Sequence, residues 1–374
     1  MSRVRLAPRF ENFPPYTPIE PFEVLSARLG LPPEKIIKVD ANENPYGPAP
    51  AVKEALANLR WANIYPDPES RALRAALSDF TGAPAENLLP GAGADELIDL
   101  ILRLVLEPGD VVLNFPPTFG MYPFDTLLNA GQVIDVPRLP DFSLDLPAIR
   151  RAVEEHQPKA MFLTTPNNPD GHFPPAAVLD ELLELPLLVV VDEAYIEFTR
   201  EGGRLGENLS RIRSVPQREN LIVLRTFSKW AGLAGLRVGY GAFPTWMMPA
   251  LWAAKQPYNV NVAASEAALA SLRSLDFLAA NVERLKAERE RLFGLLQSVP
   301  YLTPYPSQAN FILCGVKQIP ASQLKASLAA RGILVRYYNT PYLRDMIRIS
   351  IGRPAESDAV IAALRELAEE KSEP

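Results

Sequence analysis

The chain predicts an α/β fold: a large domain with a mainly parallel seven-stranded sheet, one strand antiparallel, covered by helices, plus a smaller α/β domain. Three observations predict it. Seven strand candidates, at residues 87–93, 111–114, 132–136, 160–164, 187–191, 221–226 and 237–243, alternate mostly with stretches of helical spacing. The connection from Thr226 to Arg237 is too short for a crossover, which needs a dozen residues or more, so the last of these strands is predicted to be the reversed one. Further strand candidates at 311–314, 333–336 and 347–351, with helices near 321–330 and 356–368, make a second unit.

Taken in order, residues 1–45 read as an arm and a segment of the small domain. Pro14, Pro15, Pro18 and Pro21 forbid a long helix until Phe22–Leu29. Residues 40–47 are a turn, and Pro50 opens a short helix over 51–59. The run Tyr65-Pro-Asp-Pro68 is a rigid turn, and Ala72, Leu73, Ala76, Leu77 and Phe80 give residues 70–80 a helical face. Residues 94–106 repeat that pattern with Leu97, Ile98, Ile101, Leu102 and Val105. After Asn259 a long helical region, with Leu278, Val282, Leu285, Leu292 and Leu296 at nearly helical spacing, bridges a large domain (46–270) and a small one (271–374).

Composition narrows the function. With 374 residues, 48% of them hydrophobic, the chain can bury two domains' worth of core, and its net charge of −6 argues against a nucleic-acid or anionic-membrane surface. The one cysteine, Cys314, excludes an internal disulfide and sits in an apolar run, as a packed strand residue in a reducing cytosol would. Two histidines without a metal-spaced cluster offer neither a zinc site nor a Ser-His-Asp triad. Acid–base chemistry is left to lysine, carboxylates or tyrosine. Residues 1–13 lack an apolar core of signal-peptide length, and no apolar stretch reaches a membrane span, so a cytoplasmic protein is expected.

Four strand ends carry unusual residues. The apolar run 221–224 delivers Thr226, Ser228 and Lys229 to the sheet edge, and Arg237 follows eight residues after the lysine among Gly232, Gly235, Gly239 and Gly241. Two cations framed by hydroxyls and glycines suggest an anion held beside a reactive amine. The turn Gly91-Ala-Gly-Ala-Asp-Glu96 opens a helix, where the N–H groups of Ala94 and Asp95 would suit a phosphate, although a glycine turn there is also common for structural reasons. In Thr165-Pro-Asn-Asn-Pro-Asp-Gly171, Asn168 is a donor for a ring hydroxyl oxygen or part of an Asn-Pro turn. Asp192 ends the buried run 189–191, so it needs a cation, a helix cap or a magnesium ion; no Gly-Lys-Ser/Thr loop supports the last.

The Ser-Lys followed by Gly-Leu-Ala-Gly-Leu-Arg resembles the cofactor segment of the fold type I pyridoxal-phosphate aminotransferases, and the four strand ends match that family in order and spacing over essentially the whole chain. The resemblance extends to Asp40-Ala-Asn-Glu-Asn-Pro, Pro116-Pro-Thr-Phe-Gly-Met-Tyr122 and the late arginines. It implies that Lys229 carries pyridoxal 5'-phosphate through its amine and shuttles a proton, that Asp192 pairs with the ring nitrogen, that Phe119 stacks on the ring, and that Tyr195 and Asn168 bond its hydroxyl. Ala94, Asp95, Thr226, Ser228 and Arg237 would hold the phosphate, with Tyr65 reaching it from a neighbouring subunit of a homodimer with composite sites. Tyr16, Arg336 and Arg348 would bind substrate, expected to be a phosphorylated amine exchanged with 2-oxoglutarate and glutamate; an aromatic amino acid, or decarboxylation of a phosphorylated amino acid on the same scaffold, are the alternatives. Two departures stand out: Asp170 replaces the usual Thr or Ser, and the Gly-Lys often found after the arm tyrosine is missing at Tyr16. A dinucleotide site is disfavoured because Gly-x-Gly-x-x-Gly is incomplete at Gly91.

Overall fold

The computed structural model of the chain describes residues 5–11, 13 and 20–369. Tyr16 lies outside the described residues. In chain order the strands are β1 (Ile37–Val39), β2 (Leu88–Gly91), β3 (Val111–Asn114), β4 (Gln132–Asp135), β5 (Ala160–Thr164), β6 (Leu188–Asp192), β7 (Leu221–Thr226), β8 (Gly239–Ala242), β9 (Leu302–Pro304), β10 (Phe311–Val316), β11 (Ile333–Tyr337) and β12 (Met346–Ser350). They form a seven-stranded sheet ordered β2-β8-β7-β6-β5-β3-β4 and a five-stranded sheet ordered β1-β11-β12-β10-β9. In the large sheet β8 runs antiparallel to both β7 and β2 while the remaining neighbours pair in parallel. This is the single reversed strand that the short 226–237 connection requires.

The parallel strands are apolar almost throughout because both faces of the sheet are covered. Met161, Leu163, Val189, Val191, Leu221 and Val223 point to one core cluster, and their chain neighbours Ala160, Phe162, Leu188, Val190, Ile222 and Leu224 point to the other. Strand period two thus divides each run between two helical layers. Helices Arg71–Thr81 and Val262–Leu272 contribute to the first layer, and Ala94–Val105 and Met248–Ala254 to the second.

The helical region after Asn259 is two helices, Val262–Leu272 and Leu275–Gln297, because Ser274 leaves helical geometry at φ −117° and ψ 31°. The second buries Leu278, Val282, Leu285, Leu292 and Leu296. Its Arg289 donates through Nη1 to the carbonyl of Phe198 at 2.8 Å and to that of Ala309 at 3.0 Å, tying a loop beyond β6 to the segment that leads into β10. Strand β1, absent from the sequence expectations, pairs in parallel with β11 and fastens the segment before the large sheet to the smaller one. Among the described residues no helix is long and apolar enough to cross a membrane.

Candidate active site

The carboxyl ends of β5, β6 and β7, with the turns after β2 and β3, converge on one cavity. Such edges are where open α/β sheets leave room for ligands. On one side β7 ends in Thr226, whose hydroxyl donates to Ser228 Oγ at 2.9 Å and accepts the Ser228 N–H at 3.1 Å. Arg237 sits at φ 52° and reaches Ser228 Oγ with Nη1 at 3.4 Å and Asp95 Oδ2 with Nη2 at 2.8 Å. Gly93 has φ +85° and ψ 171°, a conformation that side-chain-bearing residues rarely adopt, so glycine suits the turn that brings the start of helix Ala94–Val105 beside the Arg237 guanidinium. Ala94, Asp95, Thr226, Ser228 and Arg237 therefore share a wall of the cavity. The Asp95 carboxylate is engaged by Arg237, which leaves its N–H, at a helix N-terminus, as the anion donor.

Phe119, Asn168, Asp192, Tyr195 and Lys229 line the rest. Asp192 is 3% exposed. Its Oδ2 accepts from the Tyr122 hydroxyl at 2.7 Å and its Oδ1 from the Ala194 N–H at 3.0 Å. Burial pushes its carboxyl up to about 6, with these two donors holding it from rising further. Tyr195 accepts from Asn42 Nδ2 at 3.1 Å, and burial raises its phenol to about 12. Lys229 Nζ donates to the Ala41 carbonyl at 3.2 Å. Burial, seconded by Arg348 and Arg237, brings its amine down to about 8, close enough to neutrality for a useful fraction to be an unprotonated nucleophile.

A second cavity shares Phe119, Asn168, Tyr195 and Lys229 with the first and adds Asp40, Arg336, Tyr338 and Arg348. Arg336 and Arg348 are direct register partners on β11 and β12. Arg348 is 4% exposed; it donates to Asn168 Oδ1 at 2.5 Å and to the Asp40 carbonyl at 2.8 Å, and Tyr338 lies against both guanidiniums. The amine thus stands where the two cavities meet.

Tyr65 joins neither cavity of its own chain: it is 78% exposed and stacks on Tyr258 with ring centroids 4.4 Å apart. Sequence reasoning missed Tyr122, Thr164, Asn42 and Tyr338. The available signal for Tyr122 was its position three residues after Phe119, in the first turn of helix Met121–Leu128, where its ring meets that of Phe119 edge-on. Asn42 holds φ 56°, unusual for any residue but glycine, in a turn that the sequence marked only as a turn.

A family model described as aminotransferase class I and II matches residues 34–364. The chain belongs to that family. This aminotransferase is 53% identical over 361 residues to the chloroplastic histidinol-phosphate aminotransferase of Nicotiana tabacum, covering 96% of this chain and 86% of that one. It is 50% identical over 372 residues to the histidinol-phosphate aminotransferase of Roseiflexus castenholzii, covering 97% and 98%. The crystal structure of histidinol-phosphate aminotransferase from Sinorhizobium meliloti in complex with pyridoxal-5'-phosphate superposes with a TM-score of 0.88 at 29% identity, over 99% of both chains. The aminotransferase's donor set fits that cofactor. Two hydroxyls, an arginine and a helix N-terminus suit its phosphate, and Asp192 is a buried carboxylate with hydrogen-bond donors but no direct ion pair among the described residues, Lys229 acting on it only from a distance. The buried amine of Lys229 lies in the same cavity.

Proposed function

We propose that this aminotransferase exchanges the amino group of histidinol phosphate with 2-oxoglutarate, giving imidazole-acetol phosphate and glutamate, a step of histidine biosynthesis. The observation that carries the reading is the Arg336–Arg348 pair facing each other across β11 and β12 over a cavity that contains Lys229. Both substrates of such an exchange end in anions, a phosphate in one half-reaction and carboxylates in the other. Planar guanidinium forks make bidentate, charge-assisted bonds to either. The 50–53% identity to enzymes bearing that name supports the same substrate.

When bound, pyridoxal phosphate would supply an electron sink through its protonated ring nitrogen. Asp192 would hold that nitrogen protonated, and its placement on Tyr122 and the Ala194 N–H keeps the carboxylate oriented for it. Lys229, at the junction of the cavities, would take the α-proton and return it as general base and acid. Phe119, Tyr195 and Asn168 would position the ring, and Ala94, Asp95, Thr226, Ser228 and Arg237 its phosphate. Tyr16 is kept as a substrate contact from the arm.

The same reading assigns the cofactor to a large domain of residues 46–270, the arginines to a small one of residues 271–374, and residues 1–45 to the arm and small-domain segment. It also makes the enzyme a cytoplasmic homodimer in which Tyr65 serves the partner's site. Trp61, Ile64, Tyr65 and Tyr258 support this: all are large, exposed and near one another in sequence or contact, as an interface patch would be. An aromatic amino acid as amine donor is the second reading, favoured by the aromatic walls Phe119, Tyr195 and Tyr338. The test is stoichiometry: purified protein with histidinol phosphate should form one glutamate per 2-oxoglutarate consumed. Consumption of the amine without any keto acid would overturn amino transfer in favour of a lyase.

A further inference from the structure

Asp170 lies in the turn after β5 and is 1% exposed, yet none of the roles above uses it. One carboxylate oxygen accepts the His172 N–H at 2.7 Å, and the other accepts from Nδ2 of Asn167. The same Nδ2 donates to the Pro117 carbonyl at 3.0 Å, so both amide hydrogens are committed and the Asn167 oxygen must face the other way. There it accepts from the Thr118 hydroxyl at 2.9 Å. Thr118 is followed by Phe119, which lines both cavities. From its far side the turn is pinned as well: Gly171 has φ +80°, a Cβ there would fall 2.0 Å from Ser307 Oγ, and its carbonyl accepts the Gln308 N–H at 2.9 Å. Burial lifts the Asp170 carboxyl to about 6 against the opposing pull of Arg138, so at neutral pH both oxygens are acceptors.

We propose that Asp170 is a positioning residue: it fixes the orientation of the Asn167 amide, and through it the 117–119 segment that presents the Phe119 ring to the cofactor. An uncharged amide at position 170 has one oxygen for two donors. With that oxygen kept on the fixed His172 backbone N–H, Asn167 either loses its partner or flips and sets its oxygen against the Pro117 carbonyl. The inference rests on the cofactor reading above, which fails separately if the wild-type protein takes up no pyridoxal phosphate.

The test uses the holoenzyme and Asp170→Asn, with two readouts on bound pyridoxal phosphate: its visible circular dichroism relative to its absorbance, which reports how the ring is seated, and its dissociation constant. The expected result is a reduced dichroism ratio and roughly tenfold weaker binding, the size of one lost buried hydrogen bond. Thr118→Val should change both in the same direction, and the double variant should be no worse than either single, since both act on one chain of contacts. A lower thermal midpoint with unchanged dichroism in Asp170→Asn, or additive effects in the double variant, would overturn the proposal. Should Asp170→Asn not accumulate, unchanged dichroism in Thr118→Val overturns it equally.

Discussion

The Tyr122 hydroxyl donates to Asp192 Oδ2 at 2.7 Å while lying 2.7 Å from Thr164 Oγ1, so the carboxylate at the end of β6 is held by a side chain from the helix Met121–Leu128 that follows β3. Asp192 is buried, and each donor to it stabilises the ionised form against desolvation. Tyr122→Phe removes one. The Asp192 carboxyl then moves above its present value of about 6, and the ionised form is lost at higher pH on the acid side. We expect a turnover roughly 10-fold lower near neutrality, the size of a hydrogen bond to a charged group, and an acid limb of the rate profile displaced toward higher pH. A pH profile coincident with wild type would remove Tyr122 from this role.

Lys229 leads to a second expectation. Its amine is pulled down to about 8 by burial and by Arg348, and it must be unprotonated to capture an aldehyde. Capture of pyridoxal phosphate by the apoenzyme, followed by stopped-flow absorbance, should speed up with pH and level off above about 8. A rate independent of pH below about 8 would show that the amine is not the group being titrated. Lys229→Ala should abolish the captured species altogether.

The strand ends and the lysine were legible in the sequence because both signals are local. Runs such as 221–224 announce a buried strand, and Lys229 stands out by following one. The contact between Tyr122 and Asp192 was not legible: it joins residues 70 positions apart and depends on β3, β5 and β6 lying side by side. The same holds for β1, three residues long, whose identity as a strand comes from β11 nearly 300 positions later. Arg336 and Arg348 were recognisable singly, but their opposition is a matter of register. Tyr65 stands apart from its own chain's cofactor cavity, in the hollow between residues 61–73 and 262–269, a placement that no local pattern carries.

Beneath the site, Arg225 and Glu197 form an ion pair at 2.8 Å with side chains 3% and 1% exposed. Burial lifts the Glu197 carboxyl to about 7, with Arg225 as its main counterweight. Glu197→Gln leaves a buried guanidinium without its paired charge. Breaking such a pair from one side costs about 3–5 kcal/mol, so urea unfolding of the apoenzyme should show a clearly lower midpoint. Neither residue lines the cavity that contains Lys229, so the cofactor spectrum of folded variant should stay as in wild type.

Tyr65 tests the composite dimer. It is exposed in its own chain, so an active role requires another subunit. Mixing inactive Lys229→Ala with an inactive Tyr65→Ala variant should restore one competent site per heterodimer, about a quarter of wild-type activity for random pairing of equal amounts of two chains with closed two-fold symmetry. No recovery, with dimers confirmed by sedimentation, would take Tyr65 out of the site.

The central claim is the amine donor, and the most direct measurement is kcat/KM for histidinol phosphate against phenylalanine and tyrosine with 2-oxoglutarate as common acceptor. The Arg336–Arg348 pair predicts a preference for the phosphorylated amine, because a phosphate presents oxygens and charge to both guanidiniums, whereas the single carboxylate of phenylalanine or tyrosine satisfies only one. Arg336→Met should then lower kcat/KM for histidinol phosphate far more than for phenylalanine. A specificity constant for histidinol phosphate below that of phenylalanine or tyrosine would contradict the account and make the protein an aromatic aminotransferase on the same scaffold.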